Sequence, residues 1–185
     1  MLEPHGKDSL WQEETILMKI KIYAIGHLKD AYLKQGINEY SERLKPYTQV
    51  EIIEVNDESI VNNPSPKEIE IAKDKECQRV IKLLKNDEYL IGLDLVKKQP
   101  TSPEFAKYLE DKFVLGGSSI SFVIGGSYGL SDELKNRCND RIGLSNMTFL
   151  HQMTRLILLE QIYRAFKINR NEVYHKWEII LSSNT

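Results

Sequence analysis

Three glycines follow a short apolar stretch in the second half of the chain. Residues 120–124 have the length and composition of a buried strand, and Gly125, Gly126 and Gly129 come directly after it. A glycine-rich turn between a strand and a helix lets the backbone approach a ligand closely, because no Cβ atom stands in the way. The pattern predicts a ligand-binding turn. Ordinary turn chemistry is the alternative, since GGSYG is not the GxGxxG signature of dinucleotide sites.

A second turn lies just downstream. We expect residues 142–149 to form a short apolar strand that turns through Asn146 into a long amphipathic helix. The two turns should lie at the ends of neighbouring strands, and in open α/β sheets ligands bind at such strand ends. Together the turns predict one binding cleft.

The helix after the second turn begins with two side chains capable of acid–base and anion-binding chemistry. His151 and Arg155 are four residues apart and share one helix face, which should lie at the mouth of the Gly125 turn. A histidine there can act as a base, and an arginine can hold a phosphate or a base carbonyl. The alternative is a plain amphipathic helix, in which the Glu160–Arg164 pair contributes only about 0.3–0.5 kcal/mol. Spacing alone does not separate the two.

An aromatic ring, an imidazole and an ammonium group follow one another at Tyr174, His175 and Lys176. Stacking combined with a cation is a common way to hold an unpaired base and its phosphate. A solvated chain end is the alternative. This segment is therefore a candidate RNA contact.

The composition describes one globular domain. The 185 residues are 41% apolar and 28% charged, with a net charge of −2. No apolar run approaches the about 20 residues that a membrane helix needs, and the first residues lack the features of a signal peptide. Cys77 and Cys138 have no metal-ligand spacing, so we expect reduced thiols, no metal site and a cytoplasmic protein.

Charge is distributed unevenly along the chain. Residues 51–76 contain eight acids and three bases, whereas residues 151–176 contain five Lys or Arg and two acids. A local basic face can bind phosphates even when the total charge is near zero. The segment after the predicted cleft is therefore the more favourable surface for RNA.

Strand-like and helix-like segments alternate along the chain. Strands are expected at residues 19–25, 50–55, 89–95, 120–124 and 142–149. Ser65 and Glu68 form a capping box before the second helix, and Ser102 should begin the third. Such alternation predicts an α/β domain with a mostly parallel sheet flanked by helices.

The final helix, expected at about residues 150–168, is apolar on more than one face. Leu156, Ile157, Leu158 and Leu159 stand in succession. One sheet face cannot cover all four side chains. We therefore expect the surplus to pack against a second copy in a symmetric homodimer.

Four stretches taken together are highly specific. They are KIKIYAIG at residues 19–26, FVIGGSYGL at 122–130, LSNMTFLHQMTRLILLEQIYRAFKI at 144–168 and YHK at 174–176. With them the chain resembles the RlmH family of SPOUT-class methyltransferases. The resemblance covers residues 18–176, which we expect to be the catalytic domain, with extensions at 1–17 and 177–185.

The resemblance implies an S-adenosylmethionine-dependent enzyme that methylates N3 of a pseudouridine in helix 69 of the 23S ribosomal RNA, on the assembled ribosome. It also implies a homodimer and a SPOUT α/β fold with a C-terminal trefoil knot, which periodicity does not reveal. The implied donor contacts are Leu93, Gly125, Leu144, Ser145, Asn146, Met147, Thr148 and Phe149. The implied substrate-side residues are His151, Arg155, Tyr174 and His175.

The residues leave the proton acceptor open. His151, His175 or solvent would take the proton from N3, while the protein orients an already activated methyl group. Two other classes of function compete with this one: a nucleotide-dependent oxidoreductase that uses the glycine-rich turn, and a non-catalytic RNA-binding module on the same fold.

The chain departs from the family pattern at three places. Leu150 stands where the family usually has proline, which we expect to loosen the entry to the final helix. Residues 177–185 follow the usual family end. Residues 1–17 are polar and aperiodic and should form a flexible extension before a start at Met18.

Overall fold

Strands and helices alternate through the computed structural model, which describes residues 18–95 and 97–174. The strands are β1 (Lys19–Ile25), β2 (Gln49–Val55), β3 (Leu90–Leu93), β4 (Ser119–Ile124) and β5 (Asp140–Ile142). The helices are α1 (Ala31–Leu44), α2 (Pro66–Ile81), α3 (Ser102–Leu115), α4 (Asp132–Arg137) and α5 (His151–Asn169). The two expected extensions and His175 lie outside the described residues.

All five strands are parallel and stand in the order β2-β1-β4-β3-β5. Ile22 on β1 lies between Ile52 on β2 and Phe122 on β4. This confirms the predicted α/β class with its parallel sheet. The expectation that β4 and β5 are neighbours was wrong, because β3 pairs with both and separates them. The carboxyl ends of three strands, rather than two, therefore meet beside the glycine-rich turn.

Each face of the sheet has its own apolar core. Helices α1, α3 and α5 cover one face, where Ile22, Phe122 and Phe166 are fully buried. Helices α2 and α4 cover the other face, over Tyr23 and Val123. Successive strand residues point to opposite faces, so a sheet covered on both sides requires near-continuous apolar strands. Within the part of the chain described, no helix is long and apolar enough to cross a membrane.

Capping boxes begin two of the helices. The Ser65 hydroxyl accepts a hydrogen bond from the Glu68 amide, and the Glu68 carboxylate accepts one from the Ser65 amide, as the sequence predicted. The third helix begins at Ser102, as expected, and Thr101 caps it through the same exchange with Glu104. Each box satisfies amide groups that a helix start leaves unpaired.

The last strand lies earlier than the sequence suggested. β5 covers only Asp140–Ile142, and residues 143–150 form an irregular loop where an apolar strand was expected. The ladder stops because the Gly143 amide donates to the carbonyl of Lys98, at 2.9 Å, instead of continuing along β3. The apolar residues of this loop are thereby available to form a cavity wall.

Helix α5 is covered largely by helices of its own chain. Leu158 and Leu159 are fully buried, and Leu156 packs so closely on Gly36 of α1 that a Cβ atom added there would lie 3.0 Å from it. Ile157 is half-buried. The apolar surplus on which the dimer argument depended is therefore mostly absorbed within one chain. The homodimer itself stays a prediction.

Leu150, at the entry to α5, is a site for a stabilising proline. Its φ of −56° lies in the range that a proline ring fixes, and its side chain is 53% exposed. Leu150→Pro should raise the free energy of unfolding by about 0.4–1 kcal/mol, because the unfolded chain loses conformations that the folded chain does not use. Urea denaturation measures the change.

A Leu150→Gly control should shift stability in the opposite direction, since glycine gives the unfolded chain more freedom. A proline variant less stable than the parent would show that the helix entry needs the leucine side chain or its amide hydrogen.

Candidate active site

A cavity of about 450 Å³ opens at the carboxyl ends of β3, β4 and β5. Its walls are formed by the loops after these strands and by the first turn of α5. The lining residues are Leu93, Asp94, Leu95, Ile124, Gly125, Gly126, Ser127, Gly129, Leu144, Ser145, Thr148, Phe149, Leu150, His151 and Thr154. A cleft of this size at strand ends is where α/β sheets bind small molecules.

The glycine-rich turn after β4 is shaped by its own backbone. A Cβ atom on Gly125 would lie 2.6 Å from the carbonyl carbon of Gly129, too close for any side chain. Gly129 has a φ of +78°, which favours glycine, and its amide donates to the Gly126 carbonyl at 3.1 Å. Gly125 is therefore needed for the turn to close. A valine there would distort the turn itself, which is a different effect from blocking a ligand.

The loop after β5 is tied to the loop after β3. The Gln99 side-chain amide donates to the side-chain oxygen Oδ1 of Asn146 at 2.6 Å, and the Met147 backbone amide donates to the Ser145 hydroxyl at 3.0 Å. A Cβ atom on Gly143 would lie 3.1 Å from the carbonyl oxygen of Asp94. These contacts hold the two loops against each other and fix one side of the cavity.

Most of the residues expected to contact the donor line this cavity. They are Leu93, Gly125, Leu144, Ser145, Thr148 and Phe149. Asn146 and Met147 are not part of its lining, since Asn146 bonds to Gln99 and Met147 is 68% exposed. Sequence reasoning missed Asp94 and Ser127, although both directly adjoin residues that it singled out.

His151 begins α5 and lines the cavity. Its Nε2 atom would lie 3.1 Å from a Cβ atom added to Gly26, so the end of β1 forms the surface against which the ring packs. Burial, followed by the positive charge of Arg155, lowers the pKa of His151 below its ordinary value. The imidazole is therefore neutral near pH 7 and can accept a proton.

Arg155 is fully buried one turn further along α5. It donates to Glu54 Oε1 at 2.5 Å, to the Ile25 carbonyl at 3.1 Å and to the Gly26 carbonyl at 2.7 Å. This corrects the expectation that Arg155 lies at the mouth of the cavity. The guanidinium lies behind His151, where two carbonyls and a carboxylate at the ends of β1 and β2 accept hydrogen bonds from its two terminal nitrogens.

Glu54 is a structural partner that the sequence analysis did not identify. It accepts from Arg155 and also from the Leu28 amide, at 3.1 Å, and its second oxygen lies 2.9 Å from His27 Nδ1. The available signal was weak, because β2 contains a second acid, Glu51, as well as Glu54 near its end. The carboxylate holds together the ends of β1, β2 and α5.

Tyr174 lies far from His151 within one chain. Its ring meets that of Tyr163 edge-on, with centroids 5.0 Å apart, and its hydroxyl lies 3.3 Å from Glu160 Oε1. Tyr163 is twelve residues along α5 from His151, which is about 18 Å at the helical rise. One chain therefore does not bring these two candidate residues together.

A smaller cavity of about 180 Å³ adjoins the first across the glycine-rich turn. Gly126, Ser127 and His151 contribute to the walls of both cavities. The other lining residues of the smaller cavity are Asp57, Glu58, Ile60, Glu76 and Tyr128. Burial, with Asp57 and Glu58 nearby, raises the pKa of Glu76. The acid-rich segment 51–76 supplies its three carboxylates, but the sequence did not show that they line a cavity.

Comparison with known proteins shows the family to which the chain belongs. Residues 18–175 match the profile of a family described as predicted SPOUT methyltransferase. The chain therefore belongs to the SPOUT methyltransferase family.

Its relatives identify the branch of that family. The ribosomal RNA large subunit methyltransferase H of Clostridioides difficile strain 630 is 50% identical over 159 residues, which are 86% of this chain and all of that protein. The protein of the same name from an Exiguobacterium species is 48% identical over the same shares of the two chains. These matches confirm the resemblance to the RlmH family. A solved tRNA methyltransferase from Aquifex aeolicus superposes with a TM-score of 0.45 and 12% identity, over 80% of this chain and 69% of that one.

Gly26 offers a test of how His151 is held. Gly26 has a φ of +89°, and an alanine there would press on His151 Nε2. Gly26→Ala should cost roughly 1–2 kcal/mol of stability from the left-handed backbone alone. It should also lower the pKa of His151 further, because the added methyl buries Nε2. Urea denaturation and NMR titration of the imidazole measure the two effects.

Gly117→Ala is the matched control. Gly117 also has a positive φ, of +62°, but a Cβ atom there would meet nothing within 4 Å. It should lose similar stability and leave the titration of His151 unchanged. Identical titration curves for the two variants would contradict the contact between Gly26 and His151.

Proposed function

We propose that this protein is an S-adenosylmethionine-dependent methyltransferase that acts on N3 of a pseudouridine in large-subunit ribosomal RNA. The observation that carries the proposal is the cavity at the ends of β3, β4 and β5, with the neutral imidazole of His151 in its wall. Family membership and relatives about half identical in sequence support it.

The larger cavity has the size and lining that S-adenosylmethionine needs. Its volume falls within the about 300–1,000 Å³ typical of small-molecule sites. Leu93, Leu144 and Phe149 provide apolar surface for a nucleoside. The closely packed backbone of the glycine-rich turn provides amide and carbonyl groups. Ser127 and Thr154 add hydroxyl groups near the first turn of α5.

The methyl donor brings an activated sulfonium methyl group, so the protein has two tasks. It must align the acceptor nitrogen with that group, and it must remove the N3 proton as the N–C bond forms. His151 is placed for the second task, because it is neutral and lies in the walls of both cavities. No residue has to act as a nucleophile.

Arg155 acts in this scheme as a positioning residue. Its bonds to Glu54 and to the carbonyls of Ile25 and Gly26 hold the first turn of α5 against β1. His151 lies one helical turn before it and packs on Gly26. Loss of the guanidinium would therefore act on the reaction through the position of His151.

The RNA side of the site requires residues that one chain does not bring to the cavity. Tyr174 lies at the opposite end of α5 from His151. We therefore retain the homodimer as a proposal, with Tyr174 and His175 of one copy completing the cavity of the other. Leu95, Met147 and Leu150 are each at least half exposed and offer apolar surface for the second copy, since Leu95 and Leu150 line the cavity and Met147 belongs to its loop. A trefoil knot and a cytoplasmic location belong to the same proposal.

The direct test compares the target RNA from cells with and without the gene. Mass spectrometry of the ribosomal fragment should show one extra methyl group on the pseudouridine only when the gene is present. Calorimetry with S-adenosylmethionine should show binding to the purified protein. A protein that binds the donor while the RNA lacks the methyl group would overturn the substrate assignment.

The pH dependence of methyl transfer tests His151. Because its pKa is lowered from the ordinary 6.5, the midpoint of the acid limb of the wild-type single-turnover rate should lie below pH 6.5, as the imidazole takes a proton. His151→Gln should lose about 10²–10⁴-fold in rate and should also lose this acid limb.

His27→Gln is the control, because His27 is an exposed imidazole that bonds to Glu54 and Asn56. The control should keep the acid limb. Retention of that limb in His151→Gln would assign the proton to another acceptor.

Coexpression of two inactive variants tests the shared site. His151→Ala and Tyr174→Ala should each abolish methylation and leave donor binding intact. In a symmetric dimer with composite sites, mixed dimers contain one intact site, so coexpression should restore roughly one quarter of the wild-type activity. Tyr32→Ala, which changes an exposed tyrosine on α1, is the control and should be fully active. Failure to restore activity, with mixed dimers present, would overturn the shared site.

A further inference from the structure

Glu76, in the middle of α2, has a buried carboxylate oxygen that lacks a partner among the described residues. The side chain is 3% exposed. Its Oε1 atom accepts from the Glu58 amide at 2.8 Å, whereas Oε2 has no hydrogen bond. An unsatisfied buried acceptor costs about 1–3 kcal/mol, and more when it is charged. Such a cost in a folded enzyme points to a ligand that supplies the missing donor.

The unpaired oxygen lies beside the wall that separates the two cavities. A Cβ atom on Gly126 would lie 2.8 Å from it. Glu76 lines the smaller cavity together with Ser127, Tyr128 and His151. Since Ser127 and His151 also line the larger cavity, a group bound in the smaller one lies next to both the donor site and the candidate base.

The charges of the smaller cavity favour an N–H donor over a phosphate. Asp57 and Glu58 line it beside Glu76, and Glu58 is already paired with Arg79 and Lys75. A phosphate would be repelled by these carboxylates. A bound metal ion is not the better occupant, because within residues 18–95 and 97–174 no three or more metal-ligating side chains are arranged so that they could hold a metal ion. A nucleobase edge supplies N–H donors without added negative charge.

We propose that the smaller cavity holds the target base and that Glu76 selects pseudouridine over uridine. The inference rests on the proposed function. Pseudouridine carries hydrogens on both N1 and N3, whereas the N1 of uridine is bonded to ribose. With N3 facing His151 and the methyl donor, the N1–H group donates to the Glu76 carboxylate. A uridine leaves the carboxylate unpaired, and polar sites of this kind discriminate strongly against substrates that lack the donor.

Glu76→Gln tests the proposal directly, because it replaces one hydrogen-bond acceptor of the side chain with a hydrogen-bond donor. The oxygen of the new amide stays with the Glu58 amide, so its NH₂ group takes the place of Oε2 and opposes the N1–H donor. Large subunits with pseudouridine at the target are compared with subunits from cells in which that uridine is not isomerised. The measured quantities are kcat/KM for each subunit, the Kd of each subunit and the Kd of S-adenosylmethionine.

The wild-type protein should prefer the pseudouridine subunit by at least about tenfold in kcat/KM, or in Kd if methylation of uridine is too slow to measure. Glu76→Gln should lose about tenfold or more on pseudouridine and remove the preference, with the donor Kd within about twofold of wild type. Glu70→Gln makes the same charge change on an exposed part of α2 and should alter none of these values.

Three results would overturn the inference. Equal losses on both subunits would give Glu76 a purely structural role, and a weakened donor Kd would assign the carboxylate to S-adenosylmethionine. A wild-type protein without preference for pseudouridine would remove the selectivity itself. Failure of the proposed function can be distinguished from these three results, because the wild-type protein would then methylate neither subunit.

Discussion

The site depends on the ion pair and the hydrogen bonds that the buried guanidinium of Arg155 makes. It joins α5 to the Glu54 carboxylate on β2 and to the backbone carbonyls of Ile25 and Gly26 at the end of β1. Removing one partner of a buried ion pair typically costs about 3–5 kcal/mol, because a charge is left without compensation. Since α5 is fixed in this way, its first turn keeps His151 packed on Gly26 and facing both cavities.

Backbone, more than side chains, shapes the larger cavity. The turn at Gly125 closes because its glycines let two stretches of main chain approach closely, and the loops after β3 and β5 are joined by main-chain and amide contacts. In a site built in this way the backbone amides and carbonyls already have fixed positions, so a ligand can bind with little rearrangement of side chains. The geometry of the turn is therefore the main reason that position 125 requires glycine, and the approach of a ligand is the second reason.

The two cavities differ in their lining. The larger one is mostly apolar and is the proposed donor site, whereas the smaller one is acidic and is the proposed site of the target base. His151 lies in the walls of both, and in the proposed reaction it accepts the proton from the ring nitrogen. In the proposed function the RNA backbone is held outside the smaller cavity, because the carboxylates that line this cavity would repel phosphates.

The sequence by itself determined the alternation of strands and helices, the parallel sheet, the cap at Ser65 and the glycine-rich turn, because these depend on local periodicity and backbone freedom. Family motifs added the class of enzyme. Only the tertiary structure decided that β3 separates β4 from β5, that Arg155 is buried against Glu54, and that Glu76 borders a second cavity. Periodicity shows which face of an element is buried. It does not show which distant carbonyl or carboxylate will satisfy a charge there, since that partner is chosen by strand order and helix packing.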